Sequence, residues 1–299
     1  MKGELLEIMK ITDILNSKKV TLSYEVFPPK AGTPFEPVIN AVDKLCSDKP
    51  DFMSVTYGAG GGTSSNTVKI ASHIQNDLGV TALAHLTCLS STREQVSSVI
   101  DEMKANGIEN ILALRGDIPK DGNLPVGEHY TYAYELVKEI KSRGDFCIGG
   151  ACYPEGHTEC AHQDEDIKNL KLKVDSGVDF LTTQMFFDNN VLYNFLYKIR
   201  EQGITVPVIA GIMPVTNGKQ IERICQLSGT YLPTRFKAIV DKFGDNPEAM
   251  KQAGIAYATE QIIDLVANGV KGIHIYTMNK PDIADSIKRN LSYIIGDNQ

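Results

Sequence analysis

VTALAHLTCLSSTREQVSSVIDEMKANGIENILALRGD, residues 80–117, contains one full turn of the rhythm that decides the fold. VTALAHLT (80–87) is a short apolar run. Thr92-x-x-Gln95 then forms a capping-box pattern at the head of a helical segment, 92–106, which sets Val96, Val99, Ile100 and Met103 on one face and stops before Gly107. The second apolar run, NILALR (110–115), follows at once. A helix that returns the chain to a new strand is the crossover a parallel sheet needs.

The same rhythm extends in both directions. Apolar runs occur at 21–27, 52–57, 80–87, 110–115, 146–153, 179–186, 206–213 and 271–278, with helical patterns between them. One such pattern is 64–78, where Val68, Ala71, Ile74 and Leu78 share a face, serines stand in front and Gly79 follows. Eight alternations predict an α/β fold, a single (β/α)8 TIM barrel spanning residues 1–299. The first fifteen residues suit a short amphipathic N-terminal helix. Residues 217–268 exceed one helix and read as two or three, broken at Pro233 and at Asn246-Pro247, an extension placed to line or cover the barrel mouth. The Pro- and Gly-rich stretch 118–129 reads as a loop, and a last helix over about 281–294 closes the circuit.

Bulk properties agree with an ordinary soluble globular protein. The 299 residues slightly exceed a minimal barrel of ~250, and 42% are apolar, enough to fill a core. A net charge of −7 argues against non-specific nucleic-acid binding. No apolar run reaches the ~18 residues of a membrane span, and the acidic residues of the N-terminus do not suit a signal peptide. Cys46, Cys88, Cys147, Cys152, Cys160 and Cys225 lack the spacing of a disulfide framework, so reduced thiols in a cytoplasmic protein are expected. Cys152, His157, Cys160 and His162 match no standard zinc spacing, and no metal is expected.

In a TIM barrel the C-terminal ends of the strands carry the chemistry, and Glu25, Thr56, His85, Arg115 with Asp117, Tyr153, Gln184 and Tyr276 fall there. A carboxyl inside an apolar strand is costly unless paired or protonated, and burial suits such a group to give up a proton near neutral pH. For Glu25 that role and a structural ion pair across the barrel stand level. The two prolines after Phe27 end its strand abruptly. Arg115 and Asp117 flank Gly116, either as a ligand-binding turn or as an exposed salt bridge. The glycine-rich stretch 58–63 follows a strand, yet position 63 is threonine where the dinucleotide fingerprint needs its third glycine, so it reads as a plain loop. In the segment 161–177, Ile167, Leu170 and Val174 form a buried stripe, while Asp166, Asn169 and Lys173 share another face. That face either holds ribose and pyrophosphate or is simply solvated.

Nine motifs occur in one order: SYEVFPPK (23–30), FMSVTYGAG (52–60), AHLTC (84–88), ALRGD (113–117), ACYPEGH (151–157), DIKNLKLKVDSG (166–177), TTQMFFD (182–188), GIMPVTNGKQ (211–220) and HIYTMN (274–279). Together, over about residues 20–292, they resemble the bacterial methylenetetrahydrofolate reductases, the flavoprotein family that makes 5-methyltetrahydrofolate. The resemblance implies FAD at the barrel mouth, contacted by Thr56, His85, Arg115, Gly116, Asp117, Tyr132, Ala133, Tyr153, His157, Cys160, Asp166, Asn169 and Lys173. It implies folate contacts from Glu25, Asp117, Gln184, Gln220, Tyr276 and Lys280. The implied reaction is ping-pong: NADH or NADPH reduces FAD and leaves, and methylenetetrahydrofolate takes its place. Glu25 then protonates the N10 side to open the ring, and hydride passes to the methylene carbon, with Asp117 stabilising the cation and tuning the flavin.

Three positions depart from the family pattern. Leu172 stands where many relatives have an arginine facing FAD, Ile224 replaces an aromatic residue that packs on the donor and the folate, and Lys280 replaces an arginine, keeping charge without the bidentate fork. They leave the reductase chemistry intact but make a partner subunit that feeds electrons an alternative to NAD(P)H. The chain stops with the barrel, without the regulatory domain of eukaryotic relatives. The expected protein is cytoplasmic and homo-oligomeric. Its rivals are a flavin-free lyase or pterin-dependent methyltransferase, and a non-catalytic folate- or flavin-binding subunit.

Overall fold

The structure is a computed structural model that describes residues 8–30, 32–57, 64–118, 122, 124–125 and 128–296. Eight strands close into a barrel: β1 (Thr21–Val26), β2 (Phe52–Val55), β3 (Thr81–Thr87), β4 (Asn110–Leu114), β5 (Cys147–Cys152), β6 (Phe180–Thr183), β7 (Val208–Ile212) and β8 (Gly272–Tyr276). Each is parallel to the next, and β8 returns to β1. Every strand lies inside its expected apolar run. The runs extend past the strands, as at Gln184, whose N–H donates to Cys152 O of β5 at 2.7 Å and continues the ladder one residue beyond β6.

Around the barrel lie α2 (Glu36–Ser47), α3 (Ser64–Ser72), α4 (Arg93–Ala105), α5 (Ala133–Arg143), α6 (Gln163–Asp175), α7 (Asn189–Glu201) and α11 (Pro281–Leu291), with α1 (Ile11–Ser17) ahead of β1. The capping box of α4 is formed in full. Gln95 N donates to Thr92 Oγ1 at 3.2 Å and Thr92 N to Gln95 Oε1 at 2.8 Å, and Val96, Val99, Ile100 and Met103 are buried as expected. The segment 64–78 is not one regular helix. After Ser72 it widens into a π-helical turn, His73–Asp77, in which the His73 ring bonds Asp77 at 2.7 Å and Asp43 of α2 at 2.8 Å. The final helix stops at Leu291, three residues short of expectation.

Between β7 and β8 stand three helices, α8 (Gly218–Ser228), α9 (Thr234–Phe243) and α10 (Pro247–Ala267). The anticipated breaks operate. Pro233 stands just before α9, and Asn246 caps α10, its Oδ1 accepting from Ala249 N at 3.2 Å. Their apolar faces join Met185, Phe187 and Val215 from the mouth loops into a small core with Ile221, Phe236, Val240 and Met250.

The main core fills the layer between strands and helices. A second cluster closes the N-terminal end of the barrel: Phe52, Leu83, Leu112, Cys147, Phe180 and Ile209 meet Ile11, Ile14 and Leu15 of α1. Ile11 N donates to Asn110 Oδ1 at 2.9 Å, which fixes that plug on β4. Residues 1–7 of the anticipated N-terminal helix, the glycine-rich loop 58–63 and part of the loop 118–129 lie outside the described residues. All six cysteines are free, and burial pushes the Cys46, Cys88 and Cys152 thiols up to about 12. Among the described residues no helix is long and apolar enough to cross a membrane, and no three His, Cys, Asp or Glu side chains are placed to hold a metal ion.

Candidate active site

Side chains alternate along a strand, so residues two apart face the same way. On β1, Ser23 and Glu25 both face the barrel axis; on β8, His274 and Tyr276 do. Glu25 is buried, 7% exposed. Its Oε2 lies 3.5 Å from His85 Nε2, 3.7 Å from His274 Nε2 and 3.4 Å from Ser54 Oγ. Neither histidine is close enough for a short ion pair. Burial holds His85 at about 4 against the opposing pull of the Glu25 charge, so its ring is neutral near pH 7. Among the described residues no arginine or lysine pairs with Glu25, and its contacts within ion-pair range are these two histidines.

Ser54 joins acid and base. Its Oγ lies 3.1 Å from His274 Nε2 as well as 3.4 Å from Glu25, and one hydroxyl hydrogen serves one acceptor at a time. On the far side of the ring, Ser23 Oγ is 2.7 Å from His274 Nδ1 and donates to Ile273 O at 3.1 Å. With that hydrogen on Ile273 O, the tautomer protonated at Nδ1 completes the chain and leaves Nε2 to accept from Ser54. A protonated Glu25 can then donate to Ser54; an ionised one turns the Ser54 hydroxyl toward itself. His274, Ser54 and Ser23 were not singled out in the sequence. The available signal was polarity at inward positions of strands whose other residues are apolar.

Tyr276 stands edge-on to His274, ring centroids 5.5 Å apart, and its hydroxyl donates to Thr183 O at 2.6 Å. Burial, then the charge of Glu25, pushes the phenol well above its ordinary value. Gly211 makes room for it, because a Cβ there would lie 2.4 Å from the Tyr276 oxygen. Gln184, at the end of β6, accepts from Met185 N through Oε1 at 2.9 Å.

The other side of the mouth is charged. Arg115, after β4, forms a forked pair with Glu159 from the loop before α6, not with Asp117. Asp117 is exposed, and its charge acts on both Arg115 and Tyr153. Gly116 has φ 85°, and a Cβ on it would come within 3.0 Å of Thr87, so both conformation and space favour glycine. Tyr153 packs edge-on against His157 at 4.6 Å, and burial pushes its phenol up to about 12. Asp166 Oδ2 accepts from His157 N at 3.2 Å. Burial raises Asp166 and lowers Lys173, and each charge offsets part of the other's cost. Lys173 Nζ donates to Ala151 O. The face of α6 bearing Asp166 and Lys173 is thus turned to the mouth; Asn169 on the same face is exposed and reaches Cys160 Sγ at 3.9 Å.

Thr56 leaves β2 with its N–H on Val26 O at 3.0 Å. Tyr132 and Ala133 begin α5, where Glu135 Oε2 accepts from Tyr132 N at 2.9 Å. Gln220 is exposed on α8, and Lys280 donates to Thr216 Oγ1 at 3.1 Å across the mouth. Of the departing positions, Leu172 is 45% exposed, and Ile224 packs on the small core of the inserted helices.

Residues 10–292 match the family model described as methylenetetrahydrofolate reductase. The chain is 36% identical to the 5,10-methylenetetrahydrofolate reductase of Pectobacterium carotovorum, covering 91% of this chain and 90% of that one, and 35% identical to the Escherichia coli protein over 91% of each. It is also 36% identical to methylenetetrahydrofolate reductase (NADH) 1 of Arabidopsis thaliana, over 95% of this chain but 50% of that one. The chain thus spans about half the length of its plant relatives. Among solved structures, an uncharacterized Clostridium thermocellum protein that binds two copies of 5-methyl-5,6,7,8-tetrahydrofolic acid has the same fold. Its TM-score is 0.68 at 15% identity, covering 96% of this chain and all of that one. The family model over residues 10–292 and the bacterial relatives matched along nine-tenths of their length agree: the chain belongs to the methylenetetrahydrofolate reductase family.

Proposed function

We propose that the protein reduces 5,10-methylenetetrahydrofolate to 5-methyltetrahydrofolate, with FAD as its hydride carrier and Glu25 as its general acid. The observation that carries this reading is Glu25 itself, a buried carboxyl at the mouth linked through Ser54 to His274. Mere ligand binding does not need a buried acid with a path for its proton.

The residues present fit FAD. His85 Nε2 is a buried nitrogen with no hydrogen-bond partner, 3.5 Å from Glu25 but outside bonding geometry, and it faces the mouth. Arg115, here paired with Glu159, and Lys173, here donating to Ala151 O, would supply cations for a pyrophosphate. Thr56, Tyr132, Ala133, Asp117, Tyr153, His157, Cys160, Asp166 and Asn169 complete the proposed cradle. Bound there and first reduced by NAD(P)H or a partner, FAD would supply the hydride for the folate methylene carbon.

The chain's own residues do the rest. Glu25 gives its proton to the folate N10, the bond from N10 to the methylene carbon breaks, and the methylene stays on N5 as an iminium cation. Once ionised, Glu25 draws the Ser54 hydroxyl from His274 Nε2, which stabilises the new carboxylate. Asp117 sets a negative charge beside the cation. Gln184 and Tyr276 hold the pterin, and Gln220 and Lys280 meet the outer part of the folate. General acid catalysis of this kind contributes ~10²–10⁴-fold.

A second reading keeps the chemistry and changes the donor: electrons arrive from a partner subunit. It is favoured by Ile224, whose side chain is spent on the core of the inserted helices. An anaerobic titration tests both. A protein that binds FAD, is bleached by NADH or NADPH and regains its colour with methylenetetrahydrofolate fits the first. Bleaching by dithionite alone, with recovery by folate, fits the second. A protein that takes up no FAD contradicts both.

A further inference from the structure

Glu25 opposite Tyr276 is the last rung between β1 and β8. Beyond it the two strands part. β1 runs through Phe27 into Pro28 and Pro29, neither of which has an N–H to give. β8 turns away through Met278 and Asn279, adjacent non-glycine residues at φ 52° and 55°. Side chains rarely tolerate this left-handed region, and two in succession persist only where the surroundings hold them.

What holds them is a set of bonds to β1. Phe27 N donates to Asn279 Oδ1 at 2.9 Å, and Asn279 Nδ2 donates to Phe27 O at 2.9 Å. The side-chain amide thereby replaces the peptide group that β8 no longer offers and adds a rung to the ladder. Two residues earlier, buried Thr277 donates through Oγ1 to Glu25 O at 2.6 Å. Three bonds from one short turn therefore grip the backbone at Glu25 and at Phe27, two residues on.

We propose that Asn279, with Thr277, is a positioning residue for Glu25, a clamp at the β8–α11 turn that fixes the acid among His85, Ser54 and His274. The assignment rests on the function proposed above and extends it to how the acid is aimed. Ordinary loop closure would make the same bonds but would not tune chemistry at the carboxyl. Displacements near 1 Å at a catalytic group cost as much as ~10²-fold in rate.

Two variants test it. Asn279→Gly accepts φ 55° without strain and loses both side-chain bonds. Asn279→Asp keeps an acceptor for Phe27 N and loses the donor to Phe27 O. Each protein, loaded with FAD, is reduced by dithionite and then mixed with methylenetetrahydrofolate between pH 6 and 9. The charged and titratable groups facing Glu25 are His85 from β3 and His274 and Tyr276 from β8. With Asn279→Gly we expect reoxidation at least ~10-fold slower, a displaced pH profile, and dithionite reduction as in the wild type. Asn279→Asp should fall between. Wild-type reoxidation rates and pH profile in a folded Asn279→Gly protein would overturn the clamp; if that variant does not fold, an unchanged profile in Asn279→Asp does so.

Failure of the proposed function is separate, because it appears as a wild type that does not reduce methylenetetrahydrofolate. The clamp is then judged by carbon NMR of the Glu25 carboxyl, assigned with Glu25→Gln. A signal that titrates differently in Asn279→Gly supports the clamp, and an identical titration overturns it.

Discussion

The two ends of this barrel are built from the same strands and could hardly differ more. At the N-terminal end Phe52, Leu83 and Ile209 point inward and meet α1. Two residues further along the same strands stand Ser54, His85 and Gly211. A rise of ~6.6 Å thus separates a hydrocarbon plug from a buried acid with two histidines. The plug excludes water from below, and the polar groups above it, Ser54, His85, Glu25 and His274, are all buried. Burial is the largest cause of the lowered His85 value; His274 adds to it and the Glu25 charge opposes it. Hydrophobic packing fills one end of the barrel, and buried polar groups occupy the other.

That contrast can be broken from either side. Phe180→Ala removes a fully buried ring from the plug and should cost about 3–5 kcal/mol of stability in denaturant melts, with the folate rate per folded molecule unchanged. A rate that falls with stability would show that the plug and the mouth are not separable.

The next effect is pH-dependent. Folded His85 sits at about 4, below the 6.5 of an unfolded histidine, so the unfolded chain takes up the proton first as pH falls. His85 therefore contributes stability that is present above pH 6.5 and lost progressively between 6.5 and 4. The full span is about 3 kcal/mol. His85→Gln should flatten the decline of stability over that window; an equally steep decline would place its origin elsewhere.

Smaller again is the cofactor side. Arg115→Met should weaken FAD binding by about 1.5–3 kcal/mol in reconstitution titrations, the worth of a charged hydrogen bond. Unchanged affinity would leave Arg115 as the partner of Glu159 only. Lys280→Ala, at an exposed position, should raise the KM for folate by a few-fold at most, since exposed pairs contribute about 0–1 kcal/mol. A collapse of kcat instead would move Lys280 into the chemistry.

The barrel was legible because its signals are local. Each strand is a short apolar run, and helices such as α4 carry their own cap and stripe. The π-helical turn at His73–Asp77 was not, since Ile74 and Leu78 fit a regular helix equally well. Within the site, Glu25 was conspicuous as a charge in an apolar strand. Its company was not: His274 and Ser54 lie 249 and 29 positions away in sequence and meet Glu25 only when the barrel closes. For the same reason Arg115 was set beside Asp117, two residues on, while the fold gives it Glu159, 44 residues away. The clamp at Asn279 was hidden in a motif, because a left-handed backbone and a borrowed rung leave no pattern in composition.

The central claim is that Glu25 donates the proton that opens the folate ring, and one comparison tests it most directly. Wild type and Glu25→Gln, both loaded with FAD, are reduced anaerobically with dithionite, and flavin reoxidation by methylenetetrahydrofolate is followed in single turnover. The account predicts equal reduction and a reoxidation ~10²–10⁴-fold slower in the variant. Reoxidation at the wild-type rate would show that the proton comes from another group.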